Sequence, residues 1–221
     1  SKKKLMVIFR GINLEYFNLK NTSEKKANAL AQAWNIDINN FIILLPGRLT
    51  KWKGQEMFIE ALNFLIENHS KNNFHAIILG SDQGRNIYSK KLSLLVERYR
   101  LSRKITFIKN CREMPLAYKI ADIAISSSIE PEAFGRVAVE AQAMSKPIVA
   151  SNIGGSRETV VNSKSGLLYR SSDARELARV VNKLMEMDKE SLSLMGKEGR
   201  KNVEKKFNVD QMCQTTFTEY K

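Results

Sequence analysis

Pro131-Glu132-Ala133-Phe134-Gly135-Arg136-Val137-Ala138-Val139-Glu140 is the stretch around which the rest of the chain is organised, with two carboxylates separated by seven residues. Upstream, 121–126 is an apolar run that ends in Ser126-Ser127-Ser128 and reads as a short buried strand. Downstream, 137–144 is apolar and alanine-rich with Glu140 and Gln142 set into it, which predicts a well-buried helix starting near Phe134. Lys146-Pro147 ends that helix and 148–151 begins the next strand. Glu132 therefore belongs to a loop at the carboxyl end of a strand, where open α/β sheets bind ligands, and Glu140 falls about two turns into the helix that follows.

A helix amino terminus offers unpaired N–H groups and partial positive charge, and Gly135 lets a ligand approach the backbone, so an anion such as a phosphate is favoured there. At 1.5 Å per residue Glu140 lies about 9 Å along the axis from Phe134, roughly the separation of a diphosphate from the ribose of one nucleotide. An ionised carboxylate is a strong acceptor for two neighbouring hydroxyls. Burying a charge in an apolar helix is costly without a partner, so Glu140 is expected to face a polar cavity.

The stretch 41–45 is a continuous apolar run, as expected of a strand covered on both faces, and leads into Pro46-Gly47-Arg48-Leu49-Thr50-Lys51-Trp52-Lys53-Gly54 before a helix over 55–67. Arg48, a planar fork, and Lys53, a mobile point charge, flank this turn and can converge on a diphosphate. Further strands are predicted at 5–9, 74–79, 104–108 and 165–169. Helices are predicted at 24–35, 86–99, 173–187, 190–206 and 210–220, with Ser23 and Asp173 as caps. The loop 109–115 follows the 104–108 strand, and Gly80 suits close approach of a planar base. Gly154 and Gly155 serve backbone geometry. The alternation gives a Rossmann-like parallel sheet covered by helices on both faces, with no internal repeat or domain boundary across 1–221.

The 221 residues, 43% hydrophobic, suffice for a proper core. No apolar run approaches the roughly 18 residues of a membrane span, and the stretch after Ser1-Lys2-Lys3-Lys4 is too short for a signal peptide. Cys111 and Cys213 show no metal-ligand spacing and imply a reducing cytosol without a disulfide. The net charge of +13 admits nucleic acid, an anionic membrane surface or phosphorylated substrates. The basic residues are scattered, without an arginine-rich block or aromatic interleaving, so no nucleic-acid partner is expected. His69 and His75 sit at no motif and read as structural.

The run from Glu132 to Met144 resembles the Glu, seven residues, Glu motif of retaining group 1 (family 4) glycosyltransferases, whose two-domain architecture is called GT-B. The Gly47-Arg48-Leu49 and Lys53-Gly54 pairs resemble that family's diphosphate-binding Gly-Arg-Leu…Lys-Gly motif, Arg10 to Phe17 resembles the segment just after its interdomain linker, and Gly154-Gly155…Glu158 resembles its Gly-Gly…Glu turn. The resemblance covers nearly the whole chain. It departs at Lys109, where a glycine commonly contacts the base, and at Ser145, where a glycine usually stands.

The resemblance implies the C-terminal, nucleotide-sugar-binding half of a GT-B enzyme, with the N-terminal acceptor domain absent. Arg48, Lys53 and Glu132 are the catalytic candidates. Gly47, Gly80, Lys109, Phe134, Gly135, Arg136, Val137 and Glu140 are the substrate-binding ones. It implies a nucleotide diphosphate sugar as donor, no metal or other cofactor, and a hexosyltransferase acting on a lipid-linked or cell-envelope glycan, as in lipopolysaccharide biosynthesis. The expected place is the cytoplasm, with peripheral association with an anionic membrane. The family's important histidine belongs to the other domain, so this chain is expected to bind donor yet transfer poorly alone. The alternatives are half of a nucleotide-sugar 2-epimerase, or a non-catalytic basic module binding nucleic acid or anionic membrane.

Overall fold

The computed structural model describes residues 6–68, 73–84 and 86–220. Its centre is a six-stranded, all-parallel sheet of β1 (Phe41–Pro46), β2 (Phe74–Leu79), β3 (Ile105–Ile108), β4 (Ile123–Ser126), β5 (Ile148–Ser151) and β6 (Gly166–Tyr169), in the order β3-β2-β1-β4-β5-β6. The crossovers carry α2 (Gln55–Asn68), α3 (Asn86–Arg98), α4 (Met114–Ile120), α5 (Arg136–Ala143) and the short α6 (Ser156–Thr159). Helix α1 (Glu24–Ala33) precedes the sheet, and α7 (Ala174–Glu186), α8 (Lys189–Lys206) and α9 (Val209–Glu219) follow it.

Side chains alternate across a strand, so a sheet covered on both faces needs two cores. Ile43 and Leu45 join Phe58, Leu92 and Leu177 of α2, α3 and α7 in one. Ile42 and Leu44 join Ala31, Tyr118, Val139 and Val203 of α1, α4, α5 and α8 in the other. Hydroxyl and carboxylate caps fix the helix starts: Ser23, Asp173 and Asp188 accept from the amides of Lys26, Glu176 and Ser191, each cap worth about 1 kcal/mol.

The chain runs outward from β1 to β2 and β3, and from β4 to β5 and β6 on the other side. The loops leaving the carboxyl ends of β1 and β4 therefore diverge, and a crevice opens between them. Both loops carry the charged residues singled out above.

The structure differs from the sequence expectation at several points. Leu5 lies outside the described residues, and 6–9 form no strand. The chain here meets the C-terminal turn instead: the Phe9 ring meets that of Phe207 edge-on at 5.5 Å, and just beyond the segment the Ile12 amide donates to the Phe207 carbonyl at 2.8 Å. The loop expected over 109–115 is present over 109–113 and then passes into α4, where Pro115 occupies the first turn and its missing N–H costs nothing. Helix α5 begins at Arg136, because Gly135 at φ 79° is left-handed, so Glu140 is one turn in rather than two. Ser145, standing where the family resemblance expects glycine, is itself left-handed at φ 53°. Helix α9 buries none of its residues, leaving Phe217 and Tyr220 exposed. No described helix is long and apolar enough to cross a membrane.

Candidate functional site

The loop after β1 makes one wall of the crevice. Gly47 donates its amide to the Leu79 carbonyl at 2.8 Å, and a Cβ on Gly80 would lie 1.9 Å from the Gly47 oxygen. Gly80 is thus required by the neighbouring loop, whatever approaches from outside. The buried amide of Gln55 donates to the Arg48 carbonyl at 2.9 Å and fixes the turn, leaving the Arg48 side chain exposed and in no ion pair among the described residues. A single 3₁₀ turn, Lys51–Lys53, then brings Lys53 back across the face of Trp52, 4.5 Å from the ring centre.

The loop after β4 makes the other wall, and hydrogen bonds stitch it to the first. Ser127 Oγ donates to the Lys53 carbonyl at 2.9 Å, and the Ile129 amide donates to that of Trp52 at 2.8 Å. Gly54 is left-handed at φ 71° and has no room for a side chain, since its Cβ would lie 2.0 Å from the Ser127 oxygen. Across this seam Lys53 Nζ meets Glu132 Oε2 at 2.8 Å, with 14% of each side chain exposed. The other Glu132 oxygen accepts from Ser128 Oγ.

Gly154 and Gly155 support the same loop from beneath. The Gly155 amide donates to the Glu132 carbonyl at 2.7 Å, and a Cβ on Gly154 or Gly155 would fall 2.5 Å from the Glu132 oxygen or 2.6 Å from that of Phe134. Their role is the backbone one read from the sequence. The Phe134 ring packs edge-on against Phe207 at 5.7 Å, and Val137 is half-buried in the same core.

Glu140, on α5 just past the loop after β4, is 7% exposed. Its Oε2 accepts from the Tyr118 hydroxyl at 3.0 Å and its Oε1 from the Arg136 guanidinium at 2.9 Å. Burial pushes the carboxyl above its ordinary range, while Arg136, Tyr118 and the charge of Lys53 pull it back. Tyr118, fully buried on α4, is the partner that sequence reasoning missed. Arg136, expected against substrate, lays its exposed guanidinium along Glu140. Gln142, the other polar residue of α5, is purely a clamp, its amide donating to the carbonyls of Ala138 and Thr159 at 2.9 Å each.

Lys109 stands exposed just beyond β3, near Asp82, whose carboxyl is held down by Ser89, the Gly84 amide and the Lys109 charge. From there to the loop after β4 is three strand spacings, about 14 Å, which gives the crevice an elongated shape. His75 is structural, its Nε2 lying 2.8 Å from Thr106 Oγ1 of the neighbouring strand, with burial and Lys104 pushing its pKa down. His69 lies outside the described residues. Cys111 and Cys213 are free, and no three metal-ligating side chains gather among the described residues.

The profile of the family described as glycosyl transferases group 1 matches residues 27–202. The chain belongs to the group 1 glycosyl transferases. It is 31% identical over 196 residues to a D-inositol 3-phosphate glycosyltransferase of Corynebacterium urealyticum, covering 87% of this chain and 46% of that protein. The solved glycosyltransferase from Rickettsia africae ESF-5 superposes with a TM-score of 0.92 at 31% identity, over 100% of this chain and 57% of that one. Anabaena Alr3699/HepE, solved in complex with UDP and glucose, superposes at 0.86 with 28% identity, over 97% of this chain and 56% of that one. This group 1 chain thus has the Rossmann-like α/β fold of its GT-B neighbours, and spans about half the length of the curated relatives it matches.

Proposed function

We propose that this group 1 chain is the donor-binding half of a retaining, family 4 hexosyltransferase that takes its sugar from a nucleotide diphosphate. Glu140 holds the ribose diol. Arg48 and Lys53 take the diphosphate, with the backbone of Gly47, Arg136 and Val137 alongside. Glu132 and the amides of Phe134 and Gly135 hold hydroxyls of the transferred sugar, and the base lies toward Gly80 and Lys109. As the glycosidic bond breaks, negative charge grows on the departing diphosphate, and cations fixed beside it stabilise that charge more in the transition state than in the ground state. No metal is called on for this in the scheme.

The observation that carries the proposal is the Lys53–Glu132 ion pair at the carboxyl ends of β1 and β4, where the strand order reverses, with Glu140 one turn into the helix that follows the β4 loop. The UDP and glucose in HepE support a nucleotide sugar as donor. The net charge of +13 supports an acceptor on an anionic surface, a lipid-linked or envelope glycan on the cytoplasmic face. Completing the transfer site falls to an N-terminal GT-B domain.

A thermal-shift panel of UDP, GDP, ADP and their sugar conjugates tests this, because a ligand that binds only the folded state raises the unfolding midpoint by mass action. One nucleotide is expected to stand out, with its shift lost in Arg48→Ala/Lys53→Ala. Equal indifference to all of them would overturn the proposal. So would epimerisation of the donor sugar without any acceptor.

A further inference from the structure

At the opposite end of the sheet, where β4 and β5 begin, lies a second cavity of about 670 Å³. Its walls are Asp122 and the Ser145-Lys146-Pro147 turn ahead of those strands, the segment Asn18-Leu19-Lys20, and one face of α8 from Lys189 to Glu204. The length of β4, four residues or about 13 Å, separates it from the donor crevice.

The charges lining it divide into those that are already used and those that are not. Arg200 is fully engaged, donating to the carbonyls of Phe17, Ala143 and Leu14 at 2.6, 2.8 and 3.3 Å and pairing with Glu204 at 2.6 Å. That pair is neutral and clamps the floor. Asp122 accepts from the Ile42 amide at 2.7 Å, and the ammonium of Lys146 donates to the Lys119 carbonyl at 3.1 Å. Lys20, Lys189 and Lys197 are exposed at the mouth, and their ammonium groups make no hydrogen bond or ion pair among the described residues. Four lysines therefore face one carboxylate, an arrangement that repels itself and is relieved by an incoming anion.

Lys146 distinguishes the cavity from an ordinary basic surface. Burial pushes its pKa down and the Lys119 charge adds to that, while the carboxylates of Asp122 and Glu24 pull it back. Lys146 is half-buried, and a partly desolvated ammonium set among other lysines gains more from a bound anion than a solvated one does. Leu19, Pro147 and Leu192 supply an apolar wall beside it.

We propose that this cavity is a second binding site, for a phosphate-bearing ligand whose phosphomonoester or diphosphate group is held by Lys20, Lys146, Lys189 and Lys197 while its body lies against Leu19 and Leu192. A group of two or more negative charges matches the local excess better than a single carboxylate, and lysines, as mobile point charges, suit phosphate without demanding a planar partner. The phosphate belongs either to a free metabolite or to a lipid headgroup. The site is independent of the donor crevice and of the function proposed for it.

The test titrates inorganic pyrophosphate by calorimetry into the full chain carrying Arg48→Ala/Lys53→Ala, so that the donor crevice does not contribute. Saturable binding is expected. Adding Lys189→Glu/Lys197→Glu, two solvated positions on α8, is expected to weaken it at least about tenfold with the unfolding midpoint unchanged, and Lys189→Arg/Lys197→Arg is expected to keep it. Absence of saturable binding, or binding indifferent to the glutamate pair, overturns the proposal. Vesicles of phosphatidylcholine with phosphatidylglycerol distinguish the sources. Lysine-dependent vesicle binding that displaces pyrophosphate supports a lipid headgroup, and pyrophosphate binding without vesicle competition supports a free phosphorylated molecule.

Discussion

Lys53 and Glu132, carried on the loops after two adjacent parallel strands, meet at 2.8 Å and close the seam between the walls of the crevice. In the proposed scheme the lysine serves the diphosphate and the glutamate serves the sugar, so each restrains the other. Glu132→Gln removes the competing charge. Affinity for a nucleoside diphosphate is expected to rise by about three- to tenfold, while the extra affinity contributed by the sugar disappears. Calorimetry with the nucleotide and its sugar conjugate on both proteins measures this, and an equal loss for both ligands contradicts the assignment.

Removing the lysine instead has two consequences that can be separated. Lys53→Met leaves Glu132 with Ser128 alone, among the described residues, as its charge-assisted partner, in a site where 14% of the side chain meets solvent. A stability loss of about 1–3 kcal/mol is expected, together with a ten- to hundredfold loss of nucleoside diphosphate affinity. The double variant Lys53→Met/Glu132→Gln is expected to recover stability in urea denaturation without recovering binding. Recovery of both would mean that Lys53 acts only as a strut.

Gly80→Ala tests the seam between β1 and β2. Its Cβ would fall 1.9 Å from the Gly47 carbonyl, a backbone atom unable to rotate away, whereas a Cβ on left-handed Gly84 meets nothing within 4 Å. Gly80→Ala is expected to cost at least about 2 kcal/mol, and Gly84→Ala only the roughly 1 kcal/mol of its φ. In a chain of this size the first corresponds to a fall of about 4–8 °C in Tm. Equal shifts in thermal unfolding would show that the Gly47 loop yields freely.

How far the sequence was legible follows from which interactions are local. The apolar runs of β1, β2, β4 and β5 identify strands covered on both faces, and that pattern alone indicates a parallel sheet. Glu132 and Glu140 stand out because a carboxylate amid alanines and valines needs an explanation that local structure does not supply. Tyr118 does not stand out. Its hydroxyl matters only because α4 packs beside α5, and α4 is a seven-residue helix whose Pro115 reads equally well as the end of a loop. The residues 6–9 fail as a strand for a similar reason: their β propensity is genuine, but Ile12 and Phe9 find their partner in Phe207, far along the chain. Lys146 and Lys189 are likewise brought to one cavity only by the return of α8 beneath the sheet.

Glu140 carries the last prediction, because binding and stability ask opposite things of it. Burial outweighs Arg136, Tyr118 and Lys53, and the folded carboxyl titrates above its unfolded value. As pH rises through the unfolded carboxylate range the unfolded chain releases its proton first, so stability falls, and it stays reduced above the folded pKa. Glu140→Gln keeps an acceptor for Tyr118 and carries no such penalty. Near pH 7.5 the variant is therefore expected to unfold at a temperature equal to or above that of the wild type, with the wild type gaining on it as the pH is lowered toward about 4. The glutamine is a weaker acceptor for two ribose hydroxyls, so nucleotide affinity is expected to fall ten- to hundredfold in the same protein. Tyr118→Phe, which strips a hydrogen bond from the buried Oε2, is expected to lower both stability and affinity. Melting curves across that pH range and calorimetry with the nucleotide decide the matter. A gap between wild type and Glu140→Gln that ignores pH contradicts the raised carboxyl, and a Glu140→Gln protein that binds nucleotide as the wild type does removes Glu140 from the ribose.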